Sequence, residues 1–212
     1  MSVQPMRAQD MSLQTMIAPG FSDPVFQSQA AFRALMAALA EPGTIQDLGE
    51  AIAPPPGFEP ATATALLALA DYETPIWMPA SLREAEAGTW LRFHCAAPLP
   101  NDPAQAGFAV VLAGAEAPPL ARFAIGDDLF PDRSATVILQ CEALEGGAAV
   151  TLSGPGIAGT RRIAPRGLRA GFWTEVAANA ALYPLGIDLL LACGSRSIGL
   201  PRSMQIDIEE PR

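Results

Sequence analysis

The clearest periodic pattern of apolar residues lies between residues 23 and 43. Asp23 followed by Pro24 is a typical helix start, because the carboxylate can accept hydrogen bonds from free amides and proline fits the first turn. The pattern predicts a helix from residue 24 to about Glu41, ended by Pro42-Gly43. Its apolar stripe is core by default, and half of it is alternatively a subunit interface. The stripe consists of Phe26, Phe32, Leu35, Met36 and Leu39.

Shorter apolar runs further along the chain predict strands and helices in alternation. Residues 61–71 have the composition and length of a buried helix. Residues 82–94 fit a helix with an acidic first turn, although 90–95 alone could alternate as a strand, and we choose the helix. This alternation predicts an α/β layered domain whose mixed or parallel sheet is covered by helices. The predicted strands are 76–78, 108–112, 136–141, 148–152, 187–192 and, at an edge, 205–208.

Length and charge limit the organisation and the partners. The 212 residues fit one domain, which we expect to span 20–212 after a flexible extension over 1–19. The net charge of -9 repels nucleic acids and anionic membrane surfaces. No apolar run approaches the length of a signal peptide or a membrane span. We therefore expect a cytoplasmic protein that binds neither nucleic acid nor membrane.

Residue composition restricts the available chemistry. All 13 basic residues are arginines and the single histidine is His94. Without lysine, the chain can form neither a Schiff base with pyridoxal phosphate nor a Walker A phosphate loop. Cys95, Cys141 and Cys193 are too far apart in sequence for a typical metal site or disulfide framework, so they are expected to be reduced core residues. This composition favours a protein that works through partners, with no catalytic residue, metal or cofactor of its own.

A few charged residues in or beside apolar segments are candidates for ligand or interface contacts. An unpaired carboxylate inside the protein would be unfavourable, so Asp188 is expected to have a partner such as an arginine. That pair could be structural or functional. His94 fits either a hydrogen-bonded core histidine or a ligand-binding group. The full set of candidates is Arg33, Arg92, His94, Asp188 and Arg202.

A second candidate group could bind phosphate. The turn Gly154-Pro155-Gly156 could donate backbone N–H groups, and Arg161 and Arg162 could add guanidinium groups. With Arg166 and Arg169, these arginines would form one anion-attracting patch. The simpler interpretation, which we favour, is an ordinary turn followed by a solvated loop.

Seven sequence blocks, taken in order, resemble the PhnH family, a subunit of the bacterial carbon-phosphorus lyase system for phosphonate use. Two mild departures occur, because Tyr183 stands where the family usually has phenylalanine and Ser203-Met204 replaces a Thr-Thr pair. The blocks are GFSDPVFQSQAAFRALMAALAEPG at 20–43, TPIWM at 74–78, LRFHCAAPL at 91–99, FPDRSATVILQ at 130–140, LSGPGI at 152–157, YPLGIDLLLACG at 183–194 and GLPRSM at 199–204.

The resemblance implies a fold and a partner-dependent role. The implied fold is a three-layer α/β/α sandwich with a mixed sheet, similar to the large domain of pyridoxal-phosphate-dependent transferases but without the cofactor. The implied partners are the other carbon-phosphorus lyase subunits. With them, the assembly exchanges the adenine of ATP for an alkylphosphonate and yields ribose 1-alkylphosphonate 5-triphosphate.

Three functions are therefore weighed. The first is a non-catalytic but obligatory subunit of the carbon-phosphorus lyase core complex, present as a homodimer or hetero-oligomer, with ATP and alkylphosphonate handled through the complex. The alternative is a stand-alone nucleotide- or phosphonate-binding protein or enzyme, in which Arg33, Arg92, His94 and Asp188 converge on a pocket. The third is an architectural dimer without a ligand.

Overall fold

Two β-sheets organise the protein. The computed structural model describes residues 17–49, 52–114 and 117–208. Six strands form a central sheet in the order β1-β8-β7-β4-β3-β2, and three form a small sheet in the order β6-β5-β9. The strands are β1 (Ile45–Asp47), β2 (Ile76–Trp77), β3 (Phe108–Leu112), β4 (Thr136–Gln140), β5 (Val150–Ser153), β6 (Arg161–Ile163), β7 (Asp188–Cys193), β8 (Arg196–Leu200) and β9 (Gln205–Ile208).

Five α-helices accompany the sheets in the described ranges. The first begins where predicted, because an Asp23 carboxylate oxygen accepts a hydrogen bond of 3.3 Å from the Phe26 amide. The helices are α1 (Pro24–Ala40), α2 (Pro60–Leu69), α3 (Ala80–Arg83), α4 (Glu86–His94) and α5 (Phe172–Ala180).

The central sheet is mixed. Strands β2, β3, β4 and β7 are parallel, whereas β8 runs antiparallel to β7 and β1 antiparallel to β8. Asp188, the first residue of β7, lies opposite Thr136, which in turn lies opposite Phe108. The amino ends of three parallel strands are therefore level, and the segments that lead into them meet at one edge.

Each face of the central sheet carries its own apolar core. Val110, Ile138 and Leu190 point to the face covered by α1, α2 and α4. The alternate residues of the same strands point to the other face, where α5 and the small sheet pack. Because parallel strands are covered on both faces, they appear in the sequence as continuous apolar runs.

The mixed α/β architecture is confirmed, but the third layer differs from the expected one. Beside α5 it contains the antiparallel sheet β6-β5-β9, so helices alone do not form it. In β5, buried Val150 and Leu152 alternate with half-buried Thr151 and Ser153, as in a strand covered mainly on one face. The expectation of a solvated loop at residues 161 and 162 is wrong, because they belong to β6.

Several local predictions are confirmed. Residues 108–112 and 205–208 are strands with the predicted bounds, and among the described strands β9 pairs with β5 alone, as an edge strand does. Residues 82–94 are helical, although a break after Arg83 divides them between α3 and α4. The expected extension over 1–19 is described only from residue 17, and the rest lies outside the described residues. Ile17 and Ala18 pack against the helical core, and the flexible extension stays a prediction.

Helix α1 uses its small side chains to contact the core. Its buried residues are Ala31, Leu35 and Ala38. A Cβ atom added to Gly199 of β8 would lie 2.3 Å from the Ala38 carbonyl oxygen, so helix and sheet backbones are in close contact. The core interpretation is therefore wrong for the stripe's largest side chains, which are exposed. These are Phe26 at 71%, Phe32 at 46% and Met36 at 40%, and Val25 beside them is 73% exposed.

Candidate functional site

Asp188 and Arg202 form a bidentate ion pair at the amino end of β7. Arg202 Nη2 lies 2.6 Å from Asp188 Oδ2, and its Nε lies 3.3 Å from Oδ1. The Arg202 backbone amide also donates to Oδ1, at 2.9 Å. The two side chains are only 20% and 15% exposed. The arginine partner expected for Asp188 is thus confirmed.

The same guanidinium group reaches a third segment. Arg202 Nη1 donates to the Pro131 carbonyl oxygen at 2.8 Å. Arg202 therefore connects the turn before β4, the first residue of β7 and the loop between β8 and β9. Three of the seven resemblance blocks, at 130–140, 183–194 and 199–204, meet here. Charge-assisted bonds in a partly buried position fix these segments more firmly than neutral bonds would.

Asn179 of α5 orders the chain just before Asp188. Its side chain accepts a hydrogen bond of 2.8 Å from the Ile187 amide and donates one of 2.9 Å to the Ile187 carbonyl oxygen. Gly186 has φ +113°, and a Cβ atom there would lie 2.8 Å from Asn179 Oδ1. Our sequence reasoning missed Asn179. The available signal was a lone asparagine in an otherwise apolar helical segment, since a buried amide is expected to be hydrogen-bonded.

His94 attaches the start of the described chain to α4. Its Nε2 lies 3.0 Å from the Ala18 carbonyl oxygen, so this nitrogen carries the proton and donates it. The ring centroid is 4.8 Å from that of Trp90 and 5.0 Å from that of Phe93. Gly20 packs directly against the ring. These contacts agree with the interpretation of a hydrogen-bonded structural histidine.

The other two candidate arginines lie exposed on different helices. Arg33 of α1 donates to Gln29 one turn earlier, at 3.3 Å, and Arg92 lies on α4. Within residues 17–49, 52–114 and 117–208, no hydrogen bond or ion pair joins Arg33, Arg92, His94 and Asp188 to one another. A shared pocket for these four residues stays a prediction.

The candidate phosphate-binding turn packs against the end of α1. A Cβ atom at Gly156 would lie 2.0 Å from the Ala40 carbonyl oxygen, and both Gly154 and Gly156 have positive φ. Arg161 Nη1 donates to the Pro42 carbonyl oxygen. The turn and Arg161 thus hold α1 against β5 and β6. Phosphate binding by Gly154, Gly156, Arg161 and Arg162 stays a prediction.

The remaining arginines of this run are also engaged. Arg169 Nη2 lies 2.6 Å from Glu175 Oε2, which additionally accepts a hydrogen bond from the Leu120 amide. Arg166 forms a more exposed pair of 3.4 Å with Glu142. These arginines are therefore bonded to separate partners, although their spacing in the sequence suggested one basic patch.

The carboxyl ends of β4 and β7 are covered by the loop before α2. In parallel α/β sheets this edge is the usual ligand site. Here Gln140, the last residue of β4, donates to the Gly57 carbonyl oxygen and accepts from the Glu59 amide. The Glu59 carboxylate accepts a hydrogen bond from the Gly194 amide, just beyond β7. A mainly apolar cavity of about 310 Å³ lies beyond β2 and β3, lined in part by Trp77 and Leu112.

The cysteines behave as core residues. Cys95 and Cys141 are buried, and Cys193 is half-buried. Burial raises the pKa of the Cys95 thiol to about 11 and that of Cys141 to about 12. Both thiols are therefore protonated at neutral pH, which makes them poor nucleophiles and poor metal ligands.

Comparisons with known proteins agree with the sequence blocks. The family model described as PhnH, bacterial phosphonate metabolism protein, matches residues 19–207. The chain is 40% identical over 200 residues to "Alpha-D-ribose 1-methylphosphonate 5-triphosphate synthase subunit PhnH" of Rhizobium meliloti (strain 1021), covering 94% of this chain and 100% of the relative. It is 27% identical over 186 residues to "Putative C-P lyase subunit protein HtxG" of Stutzerimonas stutzeri, covering 86% and 87%. The chain therefore belongs to the PhnH family of bacterial phosphonate metabolism proteins.

Proposed function

We propose that this chain is a non-catalytic but obligatory subunit of a carbon-phosphorus lyase core complex. That complex replaces the adenine of ATP by an alkylphosphonate and yields ribose 1-alkylphosphonate 5-triphosphate. Family membership supports this role, as do the names of two relatives, one a subunit of a ribose 1-methylphosphonate 5-triphosphate synthase and the other a putative C-P lyase subunit. The proposed setting is cytoplasmic, and no helix in the described ranges is long and apolar enough to cross a membrane.

The main structural support for this proposal is the outer face of α1. We define this face by Val25, Phe26, Phe32 and Met36, four large apolar side chains on one side of a 17-residue helix. Exposing them to water is unfavourable by about 25 cal/mol for each Å² of apolar surface. Contiguous exposed apolar patches rimmed by polar residues are typical of protein interfaces, and Gln29 and Arg33 lie on the same side. We propose that another subunit, identical or not, covers this face.

The local partners of the charged candidates favour a non-catalytic role. Both carboxylate oxygens of Asp188 are bonded to Arg202, and His94 Nε2 is bonded to Ala18. A stand-alone enzyme or nucleotide-binding protein would need these groups free to face a ligand. We therefore favour the subunit role and assign ATP and phosphonate binding to the assembled complex.

The proposed relationship to pyridoxal-phosphate-dependent transferases concerns the fold alone. Four parallel strands in a mixed sheet with helices on one face support it. The chain has no lysine for a Schiff base, and the loop at Gly57–Glu59 covers the carboxyl ends of β4 and β7. Under this proposal the scaffold carries protein contacts instead of a cofactor.

The test is adenine release from ATP plus methylphosphonate by the co-expressed companion subunits. We expect phosphonate-dependent release with the wild-type chain, and loss of both release and co-purification with the double variant Phe26→Ala, Phe32→Ala. The matched control is Tyr72→Ala, which removes an equally exposed ring elsewhere (67% exposed) and should have no effect. Unchanged release when this chain is omitted would refute the proposal.

A further inference from the structure

A turn at the amino edge of the central sheet presents two large apolar side chains to water. Residues 127–133, which we name the 127–133 turn, lead towards β4. Leu129 is 82% exposed and Phe130 is 43% exposed. The exposed Asp128 and Asp132 flank them. This exposed apolar surface is separate from both the α1 face and the Asp188–Arg202 pair.

The turn is held in one conformation by its own hydrogen bonds. One Asp127 carboxylate oxygen accepts the backbone N–H groups of Leu129 and Phe130, both at 2.9 Å. Gly126 has φ +79°, and a Cβ atom there would lie 2.7 Å from the Pro131 carbonyl oxygen. A turn ordered before it meets a partner loses little conformational entropy on binding.

The Phe130 ring is also held in place by a neighbouring arginine. The Arg133 guanidinium carbon lies 3.9 Å from the centre of the Phe130 ring. The Pro131 carbonyl oxygen accepts the hydrogen bond from Arg202, which ties the turn to Asp188. Aromatic side chains and arginine are enriched in protein interfaces, which agrees with a binding role for the Phe130–Arg133 pair.

We propose that the 127–133 turn is a docking knob that inserts Leu129 and Phe130 into an apolar pocket, rimmed by arginine or lysine, on a non-identical companion subunit. The inference rests on the proposed function, because it assumes that the chain works inside a complex. It adds a second contact surface and the chemistry of the partner that the surface accepts.

Charge selects this partner over a second copy of the chain. The turn carries three aspartates, and its one arginine is stacked on Phe130. Two copies meeting turn to turn would bring like charges together, on a chain whose net charge is already -9. A basic rim around the pocket would instead complement Asp128 and Asp132.

The chain's own arginine-containing groove is a poor receptor for the turn. That groove has a volume of about 360 Å³ and is lined by Arg166, Arg169 and Trp173 among others. Both arginines are already paired, with Glu142 and Glu175. Their charges are therefore already compensated within the chain, so they do not supply the free basic rim that Asp128 and Asp132 would need.

The test is the dissociation constant between this chain and the purified assembly of companion subunits. We expect the double variant Leu129→Ala, Phe130→Ala to bind about 10- to 100-fold more weakly, the usual range for truncated interface anchors. Both side chains are exposed, so its thermal unfolding should match that of the wild type. The control Tyr72→Ala should bind with the wild-type constant.

A charge-reversal variant tests the basic rim separately. Asp128→Lys with Asp132→Lys should weaken binding, whereas Glu145→Lys, an exposed acid outside the turn, should not. Wild-type binding should also weaken as NaCl rises from about 50 mM to about 300 mM, because salt screens exposed charges. Insensitivity to both changes would overturn the proposed partner chemistry.

The possible outcomes separate the inference from the function beneath it. If the wild-type chain does not bind the companion subunits, both proposals fail. If it binds and the Leu129→Ala, Phe130→Ala variant binds equally well, only the docking knob is refuted. If that variant instead loses self-association in analytical ultracentrifugation, the occupant is a second copy, which overturns the assignment to a different chain.

Discussion

At the scale of single residues, the guanidinium group of Arg202 is the main connection at the amino edge of the sheet. It bonds to both Asp188 carboxylate oxygens and to the Pro131 carbonyl oxygen. A partly buried ion pair adds little net stability over apolar replacements, but removal of one partner leaves an uncompensated charge. Asp188 is mostly buried, so the loss of Arg202 would leave its charge unpaired and destabilise the folded state.

We expect Arg202→Ala to lower the free energy of unfolding by about 2–3 kcal/mol, measured by urea denaturation. Arg202→Lys should lose less, since it keeps the charge but not the bidentate geometry. The exposed Arg33→Ala is the control and should change the free energy by no more than about 0.5 kcal/mol. Equal stability of all three variants would show that the pair contributes nothing to folding.

The Asp188–Arg202 pair also shows how much of the candidate site could be predicted from the sequence. A carboxylate at the start of an apolar run required a partner, and the sequence predicted an arginine for Asp188. The identity of that arginine depended on tertiary structure, because Arg202 lies in a later loop. Asn179 was missed because its two hydrogen bonds to Ile187 join α5 to the segment just before β7, a contact that only the tertiary structure shows. Sequence spacing likewise did not show that each of three arginines has its own partner. These are Arg161, Arg166 and Arg169.

At the scale of elements, α1 shows why apolar periodicity alone does not identify the buried face. The stripe predicted the helix, and the flanking prolines predicted its ends. The buried residues are nevertheless Ala31, Leu35 and Ala38, while the phenylalanines and the methionine of the stripe face water. Small residues allow the helix to approach Gly199 closely, and the sequence gives no measure of that distance. Strands β1 and β6 escaped prediction because each has only one apolar residue among three, and β8 because it contains glycine and begins with arginine.

We expect Gly199→Ala to destabilise the protein by about 1–3 kcal/mol through overpacking between α1 and β8. The added Cβ would lie 2.3 Å from the Ala38 carbonyl oxygen, so the helix must shift. The matched control is Gly107→Ala, where the nearest atoms of Pro75 are 3.7 Å away. Chemical denaturation of both variants measures the difference. A loss of stability no greater than that of Gly107→Ala would mean that α1 moves without penalty.

At the scale of the whole molecule, the proposals place two apolar contact surfaces on an acidic body. The α1 face is nearly uncharged apart from Arg33, which suits a partner of either charge or a second copy. The 127–133 turn is acidic and suits a basic partner only. One chain can therefore contact two different neighbours, and the net charge of -9 discourages non-specific association with other acidic proteins.

If the two surfaces are separate contacts, their contributions to assembly should be additive. Within the described ranges, no hydrogen bond or ion pair connects α1 with the 127–133 turn, and independent sites usually add within about 0.5 kcal/mol. The variant combining Phe26→Ala, Phe32→Ala, Leu129→Ala and Phe130→Ala should therefore weaken binding to the companion assembly by the product of the two separate losses. Two tenfold losses would give a hundredfold loss, measured as dissociation constants at constant salt. A combined variant no weaker than either pair alone would instead mean that both surfaces belong to one cooperative interface, because breaking either half would already release the whole.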